Sequence, residues 1–513
     1  MRKSKLAGKD KRSTGDKIDV YFDGQCPMCN AVVARLDQSR LSECFLLHDM
    51  HQTGSLPFPR EAVEKEIHVV APDGKIRTGA DAIIYLAERF PKLGPITRSA
   101  RAAPIWVFAP LVYWFVAANR RFLFGPAARI YWLKVAVVVT LSIEFAMSPR
   151  LWIGPRTFPL VPAVDWLPQL PVIVAIAMYA LFFVASAGAL LSAKPQRFLA
   201  SSLCILVVFC LFDQTRWQPW VFMLAAMLVP LSFFSWLPGD KNGLNRALNI
   251  TRLIIVATYF YSGLQKVNLN FMTNEFPWIV QPITDVFPFA RDALQTAGFA
   301  APFVQMFFGL GLLLPRLRRP ALFLAVSMHV FILCMFGPLG QNWNDIIWPW
   351  TASMAVFDVL LFAGLAQFEP RAILCPGQSR LHWGALILFG ILPAFSFFNL
   401  WDSYLSAALY SGNLTDGVIY ASDAGKSAMP PKISRWLVHS STNTNVLNLQ
   451  RWAIEELNVS TYSETRVFME IARKVCAEMR DPSQLVLVDR EQRAFFSRAE
   501  TYYRCADLMR PHA

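Results

Sequence analysis

The hydrophobic pattern of the chain changes twice. Before about residue 100, apolar and polar positions alternate in short runs: IDVYF (18–22), CFLLHDM (44–50) and EIHVVAPDGKIRTG (66–79). From 131 to 400 the apolar residues fill long blocks, and from 401 the mixed pattern returns. Short alternating runs suit half-buried strands. Apolar blocks of about 20 residues suit helices that cross a bilayer.

In the head, IDVYF predicts a strand, and NAVVARLDQS a helix with Val32, Val33 and Leu36 as its apolar positions. CFLLHDM predicts a second strand, EIHVVAPDGKIRTG two strands joined by a Pro-Asp-Gly turn, and ADAIIYLAERF a closing helix. The order β-α-β-ββ-α is that of a thioredoxin-like α+β domain, expected over 17–129 after a basic, disordered arm at 1–16.

The blocks predict a polytopic α-helical bundle over 130–400 with about nine spans: 131–148, 170–193, 197–214, 217–238, 247–265, 299–315, 320–338, 345–367 and 383–400. With the N-terminus cytoplasmic, the cytoplasmic segments carry Arg120, Arg121 and Arg129; Lys194 and Arg197; Lys241 and Arg246; Arg316, Arg318 and Arg319; and Arg371 and Arg380. The external loops carry fewer: Arg150, Arg156, Arg216 and Arg291. That alternation follows the positive-inside rule and puts the C-terminal region outside a bacterial-type inner membrane. Trp217, Trp220, Trp236, Trp343, Trp348, Trp350, Trp383 and Trp401 fall near predicted span ends, where indoles favour the interface or pack the bundle. In the small mixed region 401–513, VLNLQRWAIEEL and ETRVFMEIARKVCAEM predict amphipathic helices and QLVLVDRE a strand, docked on the external face. Asn458-Val-Ser460 is a glycosylation sequon.

Composition sharpens this picture. Of 513 residues, 54% are hydrophobic, above the soluble average. The formal net charge is +13, and MRKSKLAGKDKRSTGDK supplies several of the positives. No apolar core follows within that run, so it does not read as a secretory signal. On a membrane protein it suits an anionic cytoplasmic leaflet or a solubilising tail rather than nucleic acid. The expected partner is the lipid bilayer.

Of nine cysteines, only Cys26 and Cys29 have motif spacing. They fall at a strand-to-helix turn, where the helix dipole and unpaired N–H groups favour a thiolate. A dithiol redox centre, half of a zinc site and a pair without present function remain open. A zinc site needs two further ligands, and Cys44, His48, His51 and His68 form no second tight pair. No metal is expected. A cytosolic dithiol rests reduced and acts as a reductant or sensor toward a cytosolic reductant or thiol protein. Cys476 and Cys505, outside in this topology, are a candidate pair, and the sequence leaves open whether they join.

Four ionisable residues fall in or beside the spans: Glu144, Lys266, His329 and Asp358. Lys266 reads as snorkelling, and His329 with Asp358 as a polar pair between helices. The sharper reading is a single cavity in which Lys266 is a catalytic base and His329 its polar partner.

Two stretches carry family resemblances. YFDGQCPMCNAVVARL, DGKIRTGADAIIYL and AANRRFLFG (117–125) resemble the DCC family of proposed thiol–disulfide oxidoreductases, which have a thioredoxin-like fold. The resemblance covers 17–126 and implies Cys26 as nucleophilic and Cys29 as resolving thiol. No proline stands directly before Glu66, where classical thioredoxins carry one. YFYSGLQKVNLNF and SMHVFILCMFG resemble the HTTM superfamily, which includes vitamin K-dependent gamma-carboxylase. That resemblance implies a membrane fold with Lys266 as base, Gly263 and His329 in their family places, and Ser262 where the family has alanine. It implies a lipid- or quinone-type pocket and not carboxylation, since FGPLGQNWND departs from the family after His329.

The expectation is a membrane-bound thiol–disulfide oxidoreductase-like protein with quinone as the candidate cofactor. Lys266 then lies a bilayer's width, about 30 Å, from the dithiol, which requires a mobile carrier or independent roles. The alternative is a non-enzymatic anchor or sensor with a thiol switch. A transporter is the third reading, against which the spans show no internal repeat.

Overall fold

The computed structural model describes residues 17–24, 26–37, 39, 41–90, 126–164, 166–234, 241–363, 369–377, 379–439, 444–494 and 497–510. The basic arm 1–16, the stretch 117–125 with Arg120 and Arg121, and Trp236 lie outside them. The chain divides into two compact units, one up to Arg129 and one built from Ile130–Ala363 with Gln367–Ala513.

In the first unit, β1 (Ile18–Phe22) leads into α1 (Pro27–Asp37) and β2 (Phe45–Asp49). Then come α2 (Arg60–Lys65), β3 (His68–Val70), β4 (Ile76–Thr78) and α3 (Gly79–Glu88). The sheet order is β2-β1-β3-β4, with β1 parallel to β2 and the other pairings antiparallel. Parallel neighbours need a crossover, which α1 supplies. Ile18, Val20 and Phe22 alternate into a core with Leu36, Phe45, Ile67, Val69 and Leu86. The Pro-Asp-Gly turn closes with Gly74 N–H donating to Ala71 O at 2.9 Å. Gly74 sits at φ +74°, a conformation that disfavours a side chain. Helix α2 was not foreseen: six residues are too few to show a 3.6-residue period.

From Ile130 on, α4 (Pro126–Met147) belongs to the second unit, followed by α5 (Val172–Leu191), α6 (Gln196–Phe212) and α7 (Pro219–Phe233). It continues through α8 (Lys241–Gln265), α9 (Arg291–Gly311), α10 (Arg318–Phe336) and α11 (Ile347–Phe362) to the composite α12 (Arg380–Phe398). Helices occupy each of the nine expected intervals, but among the described residues six are long and apolar enough to cross a membrane. Helices α6, α7 and α11 have 17, 15 and 16 residues, roughly 23–26 Å of rise. Apolar composition ran past their true ends: Asp213 stops α6, and Gln218 and Pro219 start α7. In α12, Pro393 lacks an N–H, and the helix passes from a π turn (386–391) into a 3-10 segment (392–398).

Burial separates the helices. Over its apolar window α8 is 72% buried, against 28% for α5. Ile173, Val184 and Leu191 of α5 are exposed, as suits a face toward hydrocarbon. Helix α9 packs tightly on α8 because Gly263 and Gly309 leave room. A Cβ on Gly263 would lie 2.7 Å from Pro302 O, and one on Gly309 3.1 Å from Phe260 N. Of the two roles open to the tryptophans, Trp220 takes bundle packing, at 1% exposure.

The C-terminal region adds β5 (Asp416–Ala421), β6 (Val438–His439), β7 (Asn445–Asn448), α13 (Leu449–Leu457), α14 (Thr465–Ala477), β8 (Leu485–Ala494) and β9 (Ser497–Arg504). Its antiparallel sheet runs β6-β7-β5-β8-β9. Helix α14 buries Val467, Phe468, Ile471, Ala472, Val475 and Cys476, the face of an amphipathic helix. A disulfide joins Cys476 to Cys505, the pair the sequence left open. The region docks on the bundle end where α4 stops. The Glu456 carboxylate accepts from Thr157 N–H, Thr157 Oγ1 and Phe158 N–H, and Gln218 Nε2 donates to Ser460 O at 2.8 Å. The sequon is part of this contact: Asn458 Nδ2 donates to Met147 O at 3.0 Å, and Val459 and Ser460 are buried. Its amide is committed to packing rather than presented to solvent.

Candidate functional site

Cys26 and Cys29 stand where β1 hands over to α1. Cys26 N–H donates to Asp23 O at 3.0 Å, and Asn30 N–H to Cys26 O at 3.0 Å. Asn30 Nδ2 donates to Gly24 O at 2.7 Å. The parallel register sets Asp49 beside Phe22. From there Asp49 Oδ1 accepts both Gly24 N–H and His51 N–H at 3.0 Å. A Cβ on Gly24 would lie 2.1 Å from Asp49 Oδ2, so the motif glycine makes room for the carboxylate that holds the turn.

The two thiols are buried, at 0% and 3% exposure. Cys29 N–H donates to Cys26 Sγ at 3.4 Å. An N–H at the start of a helix stabilises negative charge on that sulfur. Asp23, three residues before Cys26, is fully buried, and its Oδ1 meets Nε2 of the partly exposed His51 at 2.9 Å. Ionisable groups thus run from beside the dithiol to the surface. His48 instead meets Asp19 Oδ1 at 2.7 Å, and His68 Nδ1 meets Glu66 O at 3.0 Å. Asp23 is part of the local DGQCPMC motif. Asp49 and His51 carry no local signal, because the strand register brings them in.

In the bundle, Tyr259 on α8 joins His329 on α10 to Asp358 on α11. Its hydroxyl donates to Asp358 Oδ2 at 2.7 Å and lies 2.6 Å from His329 Nε2. All three are buried, and His329 Nδ1 and Asp358 Oδ1 have no hydrogen-bond partner among the described residues. Tyr259 was not anticipated and sits unmarked among the aromatics of TYFY. Lys266 lies outside this cluster. Seven residues separate it from Tyr259, roughly 10 Å along the axis. Its Nζ folds back to Ser262, 2.7 Å from Oγ and 3.0 Å from the carbonyl. Glu144 is fully buried with both carboxylate oxygens unpartnered among the described residues. Lys134, also not anticipated, donates to Ala189 O at 2.8 Å at the end of α5.

Two cavities, of about 770 and 390 Å³, lie where the bundle end meets the C-terminal region. Neither is lined by Lys266, His329 or Asp358.

No curated protein and no solved structure matches the chain. Residues 20–126, which hold Cys26, Cys29, Asp23 and His51, match the family model of the DCC1-like thiol-disulfide oxidoreductases, so this part of the chain is similar to that family.

Proposed function

We propose that the chain is a membrane-bound thiol–disulfide oxidoreductase with Cys26 and Cys29 as its redox centre. The observation that carries this reading is the Cys29 N–H directed at Cys26 Sγ at the start of α1, inside the region that matches an oxidoreductase family. The strand order β2-β1-β3-β4 with α1 as crossover supports a thioredoxin-like assignment for the head. In the reaction the Cys26 thiolate attacks one sulfur of a partner disulfide, forming a mixed disulfide and expelling the other sulfur as a thiolate. Cys29 loses its proton and attacks Cys26 Sγ. The partner leaves as a dithiol, and two electrons have passed from the Cys26–Cys29 pair. Both thiols are buried, so exchange requires the backbone beside Cys26 to open. The Asp23–His51 pair is placed to receive the proton.

The reading extends to the membrane part. The nine apolar helices, the docked C-terminal region and the Cys476–Cys505 disulfide favour nine spans, with the N-terminus cytoplasmic and the C-terminus external. A cytosolic reductant or thiol protein then recharges the dithiol. The bundle is HTTM-like in this reading, with Lys266 as the base; a quinone or lipid must open space beside it, since Lys266 lines neither of the two cavities. The close α8–α9 approach at Gly263 supports that likeness.

Poised in glutathione buffers of graded potential, the detergent-purified protein should lose two labelled thiols in one two-electron step, and Cys26→Ser should abolish that step. Labelling that is independent of potential overturns the proposal. Co-purified quinone would support the pocket, and its absence would leave the bundle as an anchor for a thiol switch. A periplasm-active reporter fused after Ala513 tests the topology, and silence outside the cell refutes nine spans.

A further inference from the structure

The 770 Å³ cavity has the size of a ligand site. It lies at the ends of three apolar helices. Arg150 and Trp152 follow α4, Phe212 closes α6 and Val172 opens α5, and all line it. This is the level at which a bilayer passes from hydrocarbon to headgroups.

Six cationic side chains line the cavity against two carboxylates, Glu470 and Glu478. Most of the cations are spent. Arg216 donates to the carbonyls of Leu151, Phe209 and Trp152. Lys432 pairs with Glu478, and Arg473 and Lys474 pair with Glu470. Two guanidinium groups remain. Arg156, whose side chain is 6% exposed, holds Asp213 Oδ2 at 2.6 Å through Nη2, which also donates to Pro159 O. Its Nε and Nη1 have no hydrogen-bond partner among the described residues. A buried guanidinium with two idle donors calls for an acceptor. Arg150 is exposed and makes no ion pair or hydrogen bond among the described residues.

Part of the lining is apolar. Leu170, Val172 and Ala175 belong to it, and Val172 is exposed at the start of the hydrocarbon-facing side of α5. One ligand chemistry matches both the cationic and the apolar lining. A phosphate offers several acceptor oxygens to paired guanidinium groups, and an attached acyl chain continues along α5. We infer that this cavity binds a phosphate-type anion, presented as the headgroup of an anionic membrane lipid. This site is separate from the dithiol and does not depend on it.

The test uses the full chain in nanodiscs of phosphatidylcholine alone or mixed with phosphatidylglycerol. Native mass spectrometry after detergent release reads the retained lipid, and thermal unfolding reads stabilisation. The wild type should retain phosphatidylglycerol in preference to phosphatidylcholine and melt higher in the mixed discs. Arg150→Gln, at an exposed residue without an ion pair or side-chain hydrogen bond among the described residues, should reduce retention about tenfold with an unchanged elution profile. Arg156→Lys keeps a charge beside Asp213 and should weaken retention similarly. Equal retention of both lipids, or retention indifferent to both variants, overturns the inference. Protection by inorganic phosphate or glycerol phosphate equal to that by the lipid would keep the anion site and assign it to a soluble phosphate.

Discussion

The Cys476–Cys505 disulfide joins α14 to the segment that follows β9, across 29 residues of sequence. Both sulfurs are buried at 2% exposure, so the bond ties the β8–β9 hairpin to the helix beneath it. Opening this segment without the bond regains the entropy of a 29-residue loop, about 3.5 kcal/mol by chain-entropy estimate. That corresponds to roughly 300-fold in the local opening equilibrium. The perturbation is the double variant Cys476→Ala/Cys505→Ala. The assay is native-state hydrogen exchange on the β8 and β9 amides, with the head strands as an internal reference. Exchange in β8 and β9 should accelerate by about two orders of magnitude while β1 and β3 stay unchanged. Adding a reductant to the wild type should reproduce the effect. A change below about threefold would refute the reasoning. So would Cys476 and Cys505 labelling as thiols in protein never exposed to reductant.

Three further outcomes are expected. Gly24→Ala should push the Asp49 carboxylate off the two N–H groups it holds, destabilising the head by about 2 kcal/mol in urea unfolding and slowing thiol exchange. Tyr259→Phe leaves His329 and Asp358 without their shared hydroxyl and should destabilise the bundle by roughly 2–4 kcal/mol; an unchanged melting temperature in detergent would deny that the cluster holds the helices. Burial, with Asp402 nearby, raises the Glu464 carboxyl to about 7 from its ordinary 4.5. The folded region therefore binds the extra proton, and stability present at low pH is lost as pH rises from about 4.5 through 7, by roughly 3 kcal/mol in all. Glu464→Gln should flatten that slope. Asp489, raised by burial to about 6, leaves a smaller slope of the same sign.

Much of the head could be read from the sequence because its signals are local. Alternating strands, a Pro-Asp-Gly turn and two cysteines at fixed spacing all declare themselves within ten residues. The positions of the bundle helices were legible for the same reason, but their ends were not. A hydropathy window registers apolar content, whereas Asp213, Pro219 and Pro393 decide where helices stop or change pitch. The rest of the site is long-range. Asp49 and His51 reach the cysteine turn only through the β1–β2 register, and Tyr259 meets its partners only through the packing of three helices. Arg156 and Arg216 were counted as loop charges, and the structure turns both inward.

The Glu456 carboxylate binds the backbone at Thr157 across 299 residues of chain. At a synthesis rate of about 5–20 residues per second, that partner arrives roughly 15–60 s after the loop leaves the ribosome. Throughout that interval the loop after α4 has unsatisfied donors, and the bundle end has no cover. Assembly is therefore ordered by translation: the bundle helices are made first, and the region after residue 400 seals their end. A nascent chain stalled near residue 400 should expose residues 157–158 to protease, and synthesis past Glu456 and its helix should bury them.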